Sequence, residues 1–159
     1  MCIRDRNIKQ FPDHALFKNL GINFNDENEV VKNYNPKAIV FFCGTNDLAA
    51  LKSPAETFSD FETFYSMVKK ELTGTKLIVI GVKPTIAREY LIKEEKEFNN
   101  LISNLAAEDD LLTYVSVWDP MLTNEGKADP TLFVEDGLHI NAKGYEVWTK
   151  LVRSAIENL

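Results

Sequence analysis

Three short runs of apolar residues, separated by longer segments of mixed polarity, indicate that strands and helices alternate along the chain. The runs cover residues 38–42, 77–82 and 112–118, and all three are rich in branched side chains. The first two are almost continuously apolar, which is typical of parallel strands that are covered on both faces. We therefore expect three strands of a parallel sheet.

A helix is predicted to begin at Ser53, after the first strand. Ser53 is a good N-cap, Pro54 suits the first helical position, and Glu56 completes a capping box three residues after the cap. Apolar side chains then recur on one helical face, at Phe58, Phe61, Tyr65, Val68 and Leu72.

Two further helices follow the second and third strands. The first is predicted over residues 86–107, with a solvated charged stretch at 93–97 and a core-facing set formed by Tyr90, Leu91, Phe98, Leu101, Ile102 and Leu105. The second is predicted after the N-cap Asn141, with Gly144 in its first turn, and is expected to bury Val147, Trp148, Leu151, Val152, Ala155 and Ile156. Strands that alternate with helices of this length imply βαβ units, so the predicted fold is a three-layer α/β/α sandwich. Upstream, a strand at 15–21 and a short helix at 27–32 are also predicted.

The size and charge of the chain limit the classes of function. Its 159 residues, 45% of them hydrophobic, suffice for one domain with a core of its own. A formal net charge of −6 argues against an electrostatic interaction with nucleic acid or an anionic membrane, because both need clustered Lys and Arg. No apolar run approaches the roughly 20 residues of a transmembrane helix. The sequence also shows no metal-ligand spacing and no phosphate-binding glycine loop, so we expect a small-molecule substrate and no cofactor.

The first six residues, MCIRDR, resemble a sequencing adapter rather than part of a protein. A transposase adapter read in frame encodes these six residues, so we expect residues 1–6 to be an artefact and 7–159 to form one domain that is incomplete at its N terminus. The alternative is a genuine short polar leader. Without the hexapeptide Cys43 is the one remaining cysteine, which excludes an intramolecular disulfide and predicts a buried structural thiol. The compartment and the oligomeric state stay open.

Polar residues follow the first predicted strand directly, as Gly44-Thr45-Asn46-Asp47. In open α/β sheets ligands bind beyond the carboxyl ends of the strands. One interpretation is a simple turn, since Gly, Asn and Asp favour turns. The other is that Asn46 donates its amide NH2 to developing negative charge. Lys83 and Arg88, after the second strand, either contact an anionic or carbonyl group of a substrate or belong to a solvated loop.

The segment Asp136-Gly137-Leu138-His139 holds one of only two histidines. A surface turn before the last helix is one interpretation. The other is a catalytic pair, in which a spacing of three across a turn places the carboxylate beside the imidazole and fixes its tautomer. His139 would then be a general base, since the pKa of histidine lies nearest neutrality.

Together, GTND after a strand and DGLHIN before the last helix resemble the SGNH hydrolases, also called GDSL esterases and lipases, whose blocks include Gly-x-Asn-Asp and Asp-x-x-His. The resemblance extends over nearly everything from Pro36 onward. It implies a flavodoxin-like parallel sheet and a serine esterase acting on an ester or acetyl ester of a small molecule, lipid or carbohydrate. It also implies that His139 is the base, Asp136 orients it, and Asn46 is an oxyanion-hole donor. Gly21 is the candidate for a second, backbone donor.

The nucleophile departs from the family pattern. The serine of the family lies in a Gly-Asp-Ser motif at the end of the first strand, and this sequence has no such motif. If the first strand and its serine precede the present start, the adapter-like leader explains the absence. We therefore expect the chain as written to be inactive and poorly stable, because a missing internal strand exposes backbone hydrogen-bonding groups. The alternative is a non-catalytic α/β ligand-binding module on the same fold.

Overall fold

The predicted strands form one parallel sheet in the computed structural model, which describes residues 36–159. Strands β1 (Ala38–Phe41), β2 (Lys76–Ile80) and β3 (Leu112–Val115) lie in the order β1-β2-β3. Both pairs are parallel, with Val79 opposite Phe41 on one side and Tyr114 on the other. The third strand was predicted to reach residue 118 but ends at Val115, because β2 ends at the Ile80 that pairs with it.

Four α-helices connect and cover these strands within the described residues. They are α1 (Thr45–Ala49), α2 (Pro54–Glu71), α3 (Ile92–Glu108) and α4 (Ala142–Glu157). Three 3-10 turns, Glu89–Leu91, Asp119–Met121 and Pro130–Leu132, lie in the connections after β2 and β3. None of the described helices is both long and apolar enough to span a membrane.

Helix α2 begins as its sequence predicts. The Ser53 hydroxyl accepts the backbone N–H of Glu56 at 3.2 Å, and the Ser53 N–H donates to the Glu56 carboxylate at 2.9 Å. This capping box satisfies two of the N–H groups that a helix start leaves unpaired. The predicted apolar face is buried at Phe61, Tyr65, Val68 and Leu72.

Helix α3 begins later than predicted, at Ile92 rather than near residue 86. The backbone N–H groups of Ile86 and Ala87 donate to the carbonyl of Gly137, at 3.0 and 3.2 Å, so this segment lies against the histidine loop before the helix begins. Tyr90, predicted to face the core, therefore precedes α3 and is 69% exposed. Leu91, Phe98 and Ile102 are buried as predicted.

The layers follow from two apolar clusters, one on each face of the sheet. The first packs α2 and α3 on one face, where the rings of Phe41 and Phe64 stack with centroids 4.4 Å apart. The second lies on the opposite face under α4, where Trp148 meets Phe42 edge-on at 4.8 Å. The three-layer α/β/α prediction is thus confirmed. Ile156 was predicted to be buried but is 47% exposed, in the last turn of α4.

The predicted strand at 15–21, the predicted helix at 27–32 and Gly21 lie outside the described residues.

Candidate active site

Gly44 sets the position of Asn46. It is the N-cap of α1 and has φ of 105°, a conformation that side chains rarely adopt. A Cβ atom at this position would also lie 2.5 Å from Cε1 of Phe98, so there is no room for a side chain. The chain can therefore turn sharply after β1, and this turn places Asn46 on the surface in the first turn of α1.

The side chain of Asn46 is oriented by Arg88. The guanidinium donates through Nη2 to Oδ1 of Asn46 at 3.0 Å and through Nη1 to the carbonyl of Thr45 at 2.8 Å. An arginine can only donate, so its partner on Asn46 must be the amide oxygen. The NH2 group of Asn46 is then turned away from Arg88 and is the donor that this side chain can offer to a ligand.

His139 and Asp136 form the predicted carboxylate–imidazole pair. Nδ1 of His139 lies 2.6 Å from Oδ2 of Asp136, while Oδ1 accepts the backbone N–H groups of Leu138 and His139, both at 2.8 Å. The hydrogen bond from His139 and these two backbone donors lower the pKa of Asp136 to about 2. The aspartate is therefore an anion at neutral pH, which favours a proton on Nδ1 and leaves Nε2 as the basic nitrogen. The His139 side chain is 61% exposed, so a substrate can reach it.

The loop that carries this pair is held at both ends. The Val134 N–H donates to the His139 carbonyl at 2.8 Å, and Gly137 has φ of 63°, which the tight turn between them requires. Asn141, the predicted N-cap, accepts the Gly144 N–H at 3.2 Å and donates to the carbonyls of Thr131 and Phe133. The exposed histidine therefore stands on a well-bonded turn.

One short segment after β2 contacts both motifs. Ile86 and Ala87 donate to the carbonyl of Gly137, which lies between Asp136 and His139. The next residue, Arg88, donates to Thr45 and Asn46. Three consecutive residues thus connect the histidine loop to the start of α1, so the structure brings the two motifs together at one end of the sheet.

The family model for GDSL-like lipases and acylhydrolases matches residues 17–147. This chain belongs to the GDSL-like lipase/acylhydrolase family. The predicted family is thereby confirmed, and the match spans both motifs described above.

Solved structures with similar sequences show the same fold. A GDSL-like lipase from Bacteroides thetaiotaomicron is 24% identical with a TM-score of 0.61, and the alignment covers 82% of this chain and 66% of that one. A carbohydrate esterase family 3 protein from Talaromyces cellulolyticus is 17% identical with a TM-score of 0.66, over 80% of this chain and 60% of that one. The present chain therefore spans about three-fifths to two-thirds of the length of these proteins.

A curated relative matches this chain over only part of the relative's own length. The N-acylneuraminate cytidylyltransferase of Escherichia coli O18:K1:H7 (strain RS218 / NMEC) is 26% identical over 122 residues, which are 76% of this chain but 28% of that protein. The similarity is thus confined to a minor portion of the cytidylyltransferase.

The burial of two charged residues, Lys83 and Glu95, was not predicted from the sequence. Lys83 is only 6% exposed, so the solvated-loop interpretation is wrong for this residue. Glu95 is fully buried, although the run 93–97 was predicted to be solvated. A signal was present, since Glu95 stands four residues after Leu91 and three before Phe98, in register with the buried face of α3. The charged neighbours of Glu95 obscured that position.

Burial shifts the pKa values of both residues toward neutrality. It raises the pKa of Glu95 to about 7, against the opposing effect of Lys83 and Arg88. It lowers the pKa of Lys83 to about 8, which Glu95 opposes. Each charged form is disfavoured by lost solvation and partly restored by the other.

Cys43 does not provide a nucleophile. Burial and the nearby Asp47 carboxylate raise the pKa of its thiol, and only the thiolate would be reactive. The side chain is partly buried and packs against the cluster under α2 and α3, in agreement with a structural role. Within residues 36–159 no group of three or more His, Cys, Asp or Glu side chains could hold a metal ion.

Proposed function

We propose that the complete gene of this chain encodes a serine esterase that hydrolyses ester or acetyl-ester bonds, with His139 as general base. The observation that carries the proposal is the 2.6 Å contact between Nδ1 of His139 and the Asp136 carboxylate, together with the exposure of the ring. A base fixed in this tautomer and open to substrate is what nucleophilic acyl transfer needs.

The proposed reaction has two halves. A serine hydroxyl gives its proton to Nε2 of His139 while its oxygen attacks the ester carbonyl carbon. The imidazolium, stabilised by Asp136, then protonates the leaving alcohol as the C–O bond breaks and an acyl-enzyme remains. Water then gives a proton to His139 while its oxygen attacks the carbonyl carbon of the acyl-enzyme. His139 returns the proton to the serine oxygen as the serine C–O bond breaks, which releases the carboxylic acid and restores the serine.

Asn46 is proposed to stabilise the negative oxygen of the tetrahedral intermediate. Arg88 holds the amide oxygen of Asn46, so its NH2 is the group that can face the cleft. One such donor contributes about 3 to 4 kcal/mol to transition-state stabilisation. Gly21 remains the proposed backbone donor, outside the described residues.

The nucleophile is proposed to come from sequence upstream of this chain. All six serines lie within the described residues: Ser53 caps α2, Ser116 follows β3, and the others lie in α2, α3 and α4. Within residues 36–159 no serine hydroxyl is hydrogen-bonded to His139, whose ring contacts Asp136. We therefore propose that the 159-residue chain itself does not turn over esters.

The proposed substrates are small-molecule, lipid or carbohydrate esters. Structures of similar fold include a carbohydrate esterase and an acetyl esterase, which supports acetylated carbohydrates as one class among these. The net charge of −6 fits an uncharged alcohol better than a polyanion.

The test is hydrolysis of p-nitrophenyl acetate by the protein encoded by the complete gene. We expect turnover by the parent protein and a loss in kcat of about 10⁴-fold or more in His139→Ala, because loss of the base removes most of the triad's contribution. Lys150→Ala, an exposed position in α4, is the control and should retain activity.

A complete gene without a Gly-Asp-Ser segment, or turnover unaffected by His139→Ala, would overturn the esterase proposal. Either result would favour the alternative, a non-catalytic α/β ligand-binding module. That alternative is supported by the lack of a serine hydrogen-bonded to His139 among residues 36–159, and it predicts ligand binding that survives His139→Ala.

A further inference from the structure

The backbone of Val82 is held by a side chain of α3 at the point where the sheet ends. Strand β3 ends at Val115, whose carbonyl accepts the Gly81 N–H at 2.9 Å. The next residue, Val82, is only 1% exposed, so its N–H and carbonyl need partners inside the protein. Asn99 supplies both, since its amide oxygen accepts the Val82 N–H and its NH2 donates to the Val82 carbonyl, each at 2.8 Å. The buried Asn99 side chain therefore takes the place of a strand partner for β2.

The residue before Asn99 contacts the end of the neighbouring strand. The ring of Phe98 is buried and lies so close to Gly44 that a Cβ atom there would be 2.5 Å from Cε1 of the ring. Gly44 precedes the candidate oxyanion donor, Asn46, by two positions. Two adjacent residues of α3 thus contact the chain just after β1 and just after β2.

The chain from Val82 to the candidate site passes through a packed interior. Residues 82–85 are all buried, and the next three, residues 86–88, form the hydrogen bonds to the Gly137 carbonyl and to Asn46. Close-packed interiors transmit displacements rather than absorb them. A shift of the Val82 backbone should therefore reach the segment that contacts both motifs.

We propose that Asn99 is a positioning residue, which fixes the backbone of Val82 and thereby the place of residues 86–88 and, through Arg88, the orientation of the Asn46 side chain. Its catalytic meaning rests on the proposed function of Asn46. The structural link from Asn99 to Asn46 can be tested without catalysis. Asn100, the exposed next residue of α3, is a matched control of the same residue type.

The first test is an NMR comparison of Asn99→Asp with the parent at several pH values, in the protein encoded by the complete gene. A protonated aspartic acid can both accept and donate, as the amide does, whereas a carboxylate can only accept. The bond to the Val82 carbonyl is then lost when the new carboxyl group ionises. We expect the signals of residues 86 and 87 and of the Asn46 NH2 to differ from the parent at high pH and to return to it as the pH falls.

The control Asn100→Asp should match the parent at every pH. If ionisation in Asn99→Asp moved the signals of Val82 but left those of Ile86, Ala87 and the Asn46 NH2 at their parent positions, Asn99 would be a local cap of the strand and the proposal would be wrong. Unchanged signals throughout would overturn it equally.

A second variant, Asn99→Ala, tests the link without a new charge in the core. The N–H groups of Ile86 and Ala87 should exchange with solvent about 10-fold faster than in the parent or more, because the segment that carries them opens more easily. The N–H of Ile78, in the central strand β2, should change much less. An equal acceleration at all three positions would indicate a general loss of stability and would overturn the proposal.

The third test uses kinetics to separate positioning from a merely structural role. In p-nitrophenyl acetate hydrolysis, Asn99→Ala should lower kcat about 10- to 100-fold with little change in KM, because a displaced donor weakens transition-state contacts. The double variant Asn99→Ala/Arg88→Ala should be no slower than Arg88→Ala alone, since both act on one link. Independent, multiplicative losses would contradict the proposal. Absence of turnover in the parent would count against the esterase function instead, and the NMR result would still decide the positioning link.

Discussion

At the residue scale, one aspartate combines two tasks in the histidine loop. Oδ1 of Asp136 closes the turn by accepting two backbone N–H groups, and Oδ2 accepts from His139. Asp129 offers a natural comparison, because its Oδ1 also accepts a backbone N–H, from Thr131 at 2.9 Å, but it has no histidine beside it.

Asp136→Asn should therefore distinguish the role of this residue in the turn from its role in orienting His139. The amide oxygen of asparagine can still accept the backbone donors, but its NH2 group would favour the wrong tautomer of His139. We expect kcat for p-nitrophenyl acetate to fall by about 10⁴-fold in the protein encoded by the complete gene, with little loss of stability.

Asp129→Asn is the matched control and should retain nearly full activity. If both variants lost activity equally, the effect would belong to turn geometry, and the assignment of Asp136 as the orienting residue would be wrong.

At the element scale, the sequence predicted the helix caps and strands whose formation depends on neighbouring residues. The capping box of Ser53 and Glu56, the N-cap Asn141 and the apolar strands were all recognisable, because each depends on neighbours within a few residues. The start of α3 was not recognisable, because the residues before it form long-range hydrogen bonds to the Gly137 carbonyl. The sequence predicted His139, Asp136 and Asn46 as candidate site residues, but it could not show that Arg88 contacts Asn46, a residue 42 positions away.

Gly44 lies between β1 and α1, just before Asn46, and its replacement is predicted to destabilise the fold. Alanine at this position would combine backbone strain, at φ of 105°, with a Cβ 2.5 Å from Phe98. Each effect costs about 1 to 3 kcal/mol, so we expect Gly44→Ala to lower the free energy of unfolding by about 3 kcal/mol or more. Urea denaturation measures the change.

Gly74→Ala isolates the backbone contribution to that loss. Gly74 also has a positive φ, of 84°, but a Cβ there would meet nothing within 4 Å. We expect a loss of only about 1 to 2 kcal/mol. Equal losses in the two variants would show that the contact with Phe98 is not what excludes a side chain at position 44.

At the scale of the whole molecule, the buried charges make stability depend on pH. Glu95 has a pKa of about 7 in the folded protein against an ordinary value of 4.5. Between these pH values the unfolded chain ionises while the folded protein keeps the proton, so folding is progressively disfavoured as the pH rises. The stabilising contribution is complete below pH 4.5 and is lost as the pH rises through about 7. Lys83, with a pKa of about 8 against 10.5, titrates above this window.

Glu95→Gln should remove this dependence, because glutamine does not ionise. Relative to the variant, the parent should lose about 3 kcal/mol of unfolding free energy between pH 4.5 and pH 7, since each pKa unit corresponds to about 1.4 kcal/mol. Urea denaturation at closely spaced pH values measures the difference, with Glu97→Gln, exposed on the same helix, expected to follow the parent. A parent and a Glu95→Gln variant with parallel pH profiles would mean that Glu95 is as easily ionised in the folded protein as in the unfolded chain.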